Sequence, residues 1–345
     1  MDLILPGIYR ITQNNRWGAF KPPVNLYVLA DSENALLFDA GYGRRRDVLH
    51  AVRELDAIKH IEASRGRAFR LGRILPSHSH ADHFSGATPL KQKTGARILL
   101  TDEMARVLRS KAAYATAYRD PGTRKSASFS RLHSALNRIV DAVFGQLFGI
   151  SYVPAADEII AVGDTLSAGG RSWKVIALPG HCSDHIGLYA ATDGILIAGD
   201  HVLRTITPWL GPPRSSLTDY SRSLFSLLKL PKLSCILTAH GSPVWEPEKR
   251  IRELIRHREH RTRQILSIVN AHPDGICLET IIRKQAGRSD ALSRYLGEGW
   301  IRLTLMHLET IGSITWCPDT SRYHPSGTHP EFPLIPLSDT DAGLQ

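Results

Sequence analysis

The stretch Leu75-Pro76-Ser77-His78-Ser79-His80-Ala81-Asp82-His83 sets four potential metal ligands within six residues, directly after the apolar run 73–76. A short run of this kind, bounded by Gly and Pro, reads as a buried strand, so the histidines begin where a strand ends. In extended backbone side chains alternate with period two, and His78 and His80 therefore point the same way. A helix starting just after His80 would project Asp82 and His83 from its first turn toward a neighbouring position. One short segment can then serve two metal ions. A single histidine is ordinarily a surface or core imidazole. Four ligand-type side chains in the pattern H-x-H-x-D-H have the composition and spacing of a zinc site.

Outward from this run the chain alternates strand, loop and helix. Upstream, strands are expected at 7–11, 25–30 and 34–39, the last closing on the sharp turn Gly41-Tyr42-Gly43. A helix over 46–58 carries Val48, Val52 and Leu55 on one stripe. Downstream, a strand at 96–101 leads to a helix with Asp102 as its N-cap. Residues 105–149 interrupt the rhythm as a basic helical insertion (Arg106, Arg109, Lys111, Arg119, Arg124, Lys125, Arg131, Arg138), broken by Asp120-Pro121-Gly122. Strand signals resume at 158–162, 172–178, 186–190 and 195–198. A helix over 219–230 precedes a last strand at 235–238.

From 246 the character changes. A helix over 250–269 has six arginines between 250 and 263, followed by helices at 278–285 and 291–311 and a strand at 313–317. Three helices and a β-edge are similar to a winged-helix module. The expected organisation is a catalytic domain at 1–245, a winged-helix-like domain at 246–318 and a flexible tail at 319–345, rich in Pro, Ser, Thr and Asp.

Composition narrows the class. With 345 residues, 42% of them hydrophobic, the chain can bury a large core. The formal charge of +10 favours anionic partners: nucleic acid, a membrane surface or a small anionic substrate. Cys182, Cys235, Cys277 and Cys317 form no CxxC pair, which excludes a thiolate zinc knuckle and fits a reducing compartment. No run approaches the ~20 apolar residues that span a bilayer, and the N-terminus has no basic n-region. A cytoplasmic protein without membrane insertion is expected, with a homodimer left open.

The His78–His83 run resembles the signature of the metallo-β-lactamase superfamily, and the similarity extends over about residues 5 to 245. It implies an α/β fold, the four-layer αβ/βα sandwich of that family, and a dinuclear centre. Further positions match in order: Pro179-Gly180-His181, Gly199-Asp200 and Ala239-His240-Gly241, each after a strand. By that resemblance His78, His80 and His181 bind one metal, Asp82, His83 and His240 bind the other, and Asp200 bridges them. Asp39 resembles the acidic residue that supports the histidine loop. Five imidazoles and two carboxylates suit two divalent ions, Zn2+ first, with Fe or Mn compatible. Two ions ~3.5–4 Å apart lower the pKa of a shared water toward ~7. Asp82 is the candidate catalytic residue, orienting the nucleophile or accepting its proton. His80 stands where the di-iron redox branch of the family is expected to carry a carboxylate, which favours hydrolysis.

Weaker candidates surround this set. Cys182 reads as a packed small residue, and Asp184 and His185 are close enough in sequence to orient a ligand. His201 and Arg204 are pocket-lining candidates, while His257 and His260 belong to a solvated helix face. Three readings of function follow. The first is a hydrolase of a thioester, lactone or related acyl bond on a small anionic substrate. The second is an endoribonuclease on single-stranded RNA, suited to the arginine-dense helix; against it, Glu253 and Glu259 pair with that helix's arginines and aromatics are only 7%. The third is a DNA-binding regulator with 291–311 as recognition helix, which carries Arg294 and Arg302 but also Tyr295, Leu296, Trp300, Leu303 and Leu305.

Overall fold

The computed structural model describes residues 1–14, 22–120, 145–286 and 291–327, with the side chains of 286 and 291–296 outside the description. By their contacts these residues form two units. The first comprises Met1–Ala177, Asp184–Thr205 and Pro231–Trp245. The second comprises Leu178–Ser183, Ile206–Leu230 and the chain from Glu246 onward.

The first unit is built on two sheets. One runs in the order β1 (Asp2–Leu5), β2 (Ile8–Gln13), β3 (Val24–Leu29), β4 (Ala35–Phe38), β5 (Leu71–Leu75), β6 (Arg97–Leu100) and β7 (Glu158–Ile159). Its first four strands pair antiparallel, and β4 through β7 are parallel. The other runs β12 (Cys235–Leu237), β11 (Ile195–Ile197), β10 (Ile186–Ala190), β9 (Arg171–Ala177), β8 (Thr165–Ala168). It is antiparallel except for the parallel pair β11–β12. Strands β3, β4 and β5 are buried along their whole length, as expected of strands covered on both faces. Ile11, Leu26, Leu36 and Ile74 from one sheet share a single core with Trp173, Val175, Leu188 and Leu237 from the other. Helix α1 (Arg45–Ser64) adds Val48, Ala51, Leu55 and Ile58, one stripe at helical spacing. Short helices α2 (Ala81–Phe84), α3 (Ala87–Thr94), α4 (Asp102–Leu108) and α5 (Lys111–Ala117) follow the parallel strands.

The second unit contains α6 (Leu217–Leu228), α7 (Pro247–Asn270), α8 (Leu278–Ala286), α9 (Ala291–Thr310) and the hairpin β13 (Ile314–Cys317)–β14 (Arg322–Pro325). Ile265, Val269, Ile276, Ile281, Ile301, Leu305, Leu308 and Tyr323 form its core. Helix α6 belongs here because it packs on α7 and α9. The Arg258 guanidinium lies 5.3 Å from the Tyr220 ring centre, and Thr218 Oγ1 is 2.8 Å from His307 Nδ1.

The mixed α/β architecture read from the sequence is the one observed, with differences at its margins. Besides the chain from Glu246 onward, the second unit takes in the segments 178–183 and 206–230. Within the stretch expected as tail, Arg322–Pro325 pairs with Ile314–Cys317, and residues 328–345 lie outside the described residues. The cap of α4 is Thr101, whose hydroxyl accepts the Met104 N–H, and not Asp102, which is already helical. Strands β1, β8 and β14 add to those expected. Most of the basic insertion, including Arg124, Lys125, Arg131 and Arg138, lies outside the described residues. Among the described residues no helix is long and apolar enough to cross a membrane.

Candidate metal centre

Parallel pairing sets the carboxyl ends of adjacent strands side by side, and in an α/β sheet that edge is where ligands are bound. Asp39 follows β4 and the histidine run follows β5, its parallel neighbour. Asp200 follows β11 and His240 follows β12, again a parallel pair. The two edges are tied together. Asn25 on β3 donates from its backbone to Ala239 O (2.7 Å) and from its amide to Thr238 O (2.9 Å) and Gly241 O (2.8 Å). Tyr27 donates to Thr238 O (2.8 Å), and Ile186 N to Ser77 O (2.9 Å).

The histidine run folds as its spacing implies. His80 has extended backbone (φ −74°, ψ 146°), and α2 begins at Ala81, so Asp82 and His83 leave from its first turn. The rings of His78 and His80 stand 4.5 Å apart, and those of His78 and His83 4.2 Å. Asp39 organises the loop from beneath. One carboxylate oxygen accepts the Ser77 N–H (2.7 Å) and the other accepts the His83 Nδ1–H (3.0 Å). Asp39 itself has φ +65°, a left-handed conformation that Asp tolerates better than most side chains.

Two imidazoles are fixed in the same sense. His83 donates from Nδ1 to Asp39, and His240 donates from Nδ1 to Pro23 O (2.6 Å). Each therefore presents Nε2 to the carboxylates. His83 Nε2 lies 3.6 Å from Asp82 Oδ1 and 3.6 Å from Asp200 Oδ2. His240 Nε2 lies 3.5 Å from Asp82 Oδ2 and 3.2 Å from Asp200 Oδ1. An ion at ~2.0–2.2 Å from each donor fits such gaps. Ligand atoms of His78, His83 and Asp200 come within 4.8 Å of one another, as do those of Asp82, His83 and His240, so these groups can hold divalent ions.

The electrostatics agree. Burial opposes ionisation of Asp82, but the adjacent His83 and His240 outweigh it and hold the carboxyl at about 2. Asp200 is held well below the usual range by the same histidines, again against burial. Burial disfavours charge on His240, yet Asp200 and Asp82 lift it to about 10; His83 is raised likewise by Asp39, Asp82 and Asp200. The carboxylates create a demand for positive charge that protons or metal ions can meet. Tyr42 is pushed up by burial and by the charges of Asp82 and Asp200, so its phenol stays protonated and donates to Pro22 O (2.6 Å).

His181 stands on the loop Leu178–Ser183 in the second unit. Its Nδ1–H donates to Trp209 O (2.7 Å), so Nε2 is the nitrogen it would offer a metal ion. Among the weaker candidates, His185 accepts the Asp200 N–H on Nε2 (3.2 Å) and stacks on His78 at 4.7 Å. Asp184 accepts the Ser79 N–H (3.4 Å). Cys182 is buried, with Arg214 Nε 3.4 Å from its sulfur. His201 is fully buried, its ring 5.9 Å from that of His185, and Arg204 is exposed. Sequence reasoning missed Tyr118, whose hydroxyl is 2.8 Å from Ser79 Oγ and whose ring is 5.8 Å from that of His80. It also missed Ser77, whose Oγ is 2.9 Å from His78 Nδ1. Ser77 carries no sequence signal beyond its place beside His78, and Tyr118, distant in sequence from the histidine run, carries none.

The profile of the metallo-beta-lactamase superfamily matches residues 20–240. Atrochrysone carboxyl ACP thioesterase of Aspergillus fumigatus is 22% identical over 268 residues, 77% of this chain and 66% of that protein. Beta-lactamase-like protein 2 homolog of Drosophila melanogaster is 33% identical over 105 residues, 30% of this chain and 34% of that protein. The chain thus spans just under two thirds of the first relative's length and about a third of the second's. A beta-lactamase domain protein from Burkholderia ambifaria has the same fold (TM-score 0.73, 21% identity, 93% of each chain). So does a metallo-beta-lactamase family protein from Thermus thermophilus (TM-score 0.67, 22% identity, 94% of this chain and 100% of that one). With the ordered loop ends, the paired parallel edges and a profile match over most of the first unit, the chain belongs to the metallo-beta-lactamase superfamily.

Proposed function

We infer that the protein is a dinuclear metal-dependent hydrolase of a thioester, lactone or related acyl bond. The observation that carries this is the pair of buried carboxylates, Asp82 and Asp200, faced by the Nε2 atoms of His83 and His240, each locked through its Nδ1. His78, His80 and His181 form one metal position, Asp82, His83 and His240 the other, and Asp200 serves both. Two divalent ions, Zn2+ first, supply when bound a water of near-neutral pKa and Lewis-acid polarisation of the scissile carbonyl. The chain's own part is positioning. Asp39 sets the His83 tautomer, and the Pro23 carbonyl sets that of His240. Asp82, ionised at neutral pH, holds the nucleophile's proton in line.

The thioesterase activity named for the Aspergillus relative favours an acyl substrate. RNA is less favoured, because much of the basic helix is already engaged. Arg250 pairs with Glu253 (3.1 Å) and Arg252 with Glu248 (2.9 Å), while Arg261 stacks on Trp300 at 4.7 Å. The four cysteines are free, which suits the reducing cytoplasm. The test is a panel of acyl-CoA, lactone, β-lactam and single-stranded RNA substrates with zinc-loaded protein. Acyl-ester or thioester turnover, lost on the order of a thousandfold in Asp200→Ala, is expected. RNA cleavage without acyl hydrolysis would replace this reading with the nuclease.

A further inference from the structure

Helix α7 carries more arginines than any other helix among the described residues, yet Arg258 and Arg250 both reach the segment 206–208. Arg258 is only 7% exposed, covers the Tyr220 ring and donates from Nη2 to Pro208 O (2.7 Å). Two turns earlier, Arg250 donates from Nη2 to Ile206 O (2.9 Å). The carbonyl after Pro208 is that of Trp209, and it accepts the Nδ1–H of His181. Neighbouring carbonyls of the segment 206–209 thus accept hydrogen bonds from α7 and from the candidate metal ligand.

Further bonds of the His181 loop lie in the same unit. Ser215 Oγ donates to His181 O (2.7 Å) and itself accepts the Gly211 N–H (3.0 Å). Ser216 N donates to Gly180 O (2.9 Å), and Ser223 Oγ to Pro179 O (2.8 Å). Gly180 sits so close to α6 that a Cβ there would come within 2.2 Å of Tyr220 Cα. Tyr220, which Arg258 covers, is therefore also the surface on which the His181 loop rests. Arg258 thus bears on two supports of His181: it binds the carbonyl that precedes the one holding the ring, and it covers the tyrosine beneath the backbone.

We propose that Arg258 is a positioning residue for His181, the candidate metal ligand of its own unit. A planar guanidinium suits this role because one face can lie on an aromatic ring while an edge N–H reaches a carbonyl. Lysine offers a single ammonium point and cannot meet both demands as well. The proposal rests on His181 being a metal ligand. It gives the appended helices a part in the chemistry that does not involve nucleic acid.

The test measures binding of two Zn2+ ions to the full-length chain by competition with a chromophoric chelator, for wild type, Arg258→Met and Arg258→Lys. Folding is checked by circular dichroism. Outer partners of ligating histidines typically alter metal affinity by about 10–100-fold. Arg258→Met is expected to weaken one of the two ions by about that factor and leave the other unchanged. Arg258→Lys is expected to weaken the same ion by several-fold. In cobalt-substituted protein the d–d spectrum of that one position should change alone. Wild-type affinity for both ions in whichever variant folds, or equal loss of both ions, overturns the proposal. If wild-type protein itself binds no second ion, the dinuclear reading fails instead, so the two failures are distinguishable.

Discussion

At Asp39 two hydrogen bonds converge on one carboxylate: Ser77 N–H on one oxygen, His83 Nδ1–H on the other. Asp39→Ala removes both acceptors and leaves a buried N–H unsatisfied, at a cost of about 1–3 kcal/mol. It should also lower metal affinity by about 10–100-fold, since the His83 ring is no longer held, as chelator competition would reveal. The neighbouring charges give a second expectation, for metal-free protein. His240 has its pKa raised from 6.5 to about 10, so its contribution to stability is complete below pH 6.5 and is lost as pH rises through about 10. Asp82, lowered from 3.8 to about 2, contributes above pH 3.8 and loses that contribution as pH falls through about 2. Thermal melts of chelated protein should therefore fall toward both extremes, and a melting temperature that climbs between pH 7 and 10 would contradict this. Metal requires neutral imidazole, so each ion displaces protons and affinity should rise with pH.

Among the elements, the loop that closes on helix α6 is tightly constrained. Gly180 has φ +130° and no room for a Cβ against Tyr220, so Gly180→Ala should destabilise by on the order of 3 kcal/mol or more, read from the denaturant midpoint. At the start of α4 the Thr101 hydroxyl caps Met104 N, and Thr101→Ala should cost about 1 kcal/mol in the same measurement. The sequence carried the site and the fold unequally. His78 to His83 were legible because ligand spacing and strand alternation act over neighbouring residues. Asp39, His181, Asp200 and His240 were legible only through resemblance, because nothing local marks a lone ligand at a strand end. Strand β8, with Thr165 and Ser167 outward and Leu166 and Ala168 inward, has too little apolar mass to stand out from loop. Strand β14 hides among Arg322, His324 and Pro325, and only its pairing with β13 makes it a strand. Thr101 and Asp102 are both cap-type residues, with Asp the stronger by type, and the backbone register decides for Thr101.

Across the whole chain, what could not be read is which segments keep company. The segments 178–183 and 206–230 are sequence neighbours of the sandwich but belong by contact to the C-terminal unit, because Tyr220 and Thr218 meet Arg258 and His307 there. Side-chain partners across 38 and 89 positions leave no periodic trace in a sequence. The same contacts change the reading of the arginine-rich helix, where charge alone suggests a phosphate-binding face and burial of Arg258 shows a packing role. The central claim, hydrolysis of an acyl bond at a two-metal centre, has one direct measurement. Protein stripped by chelator is reconstituted stepwise with zinc while release of thiol from an acyl-CoA is followed. No turnover without metal, and full turnover at about two equivalents per chain, is the predicted result. Full activity in the stripped protein, or none at any zinc loading, would contradict it.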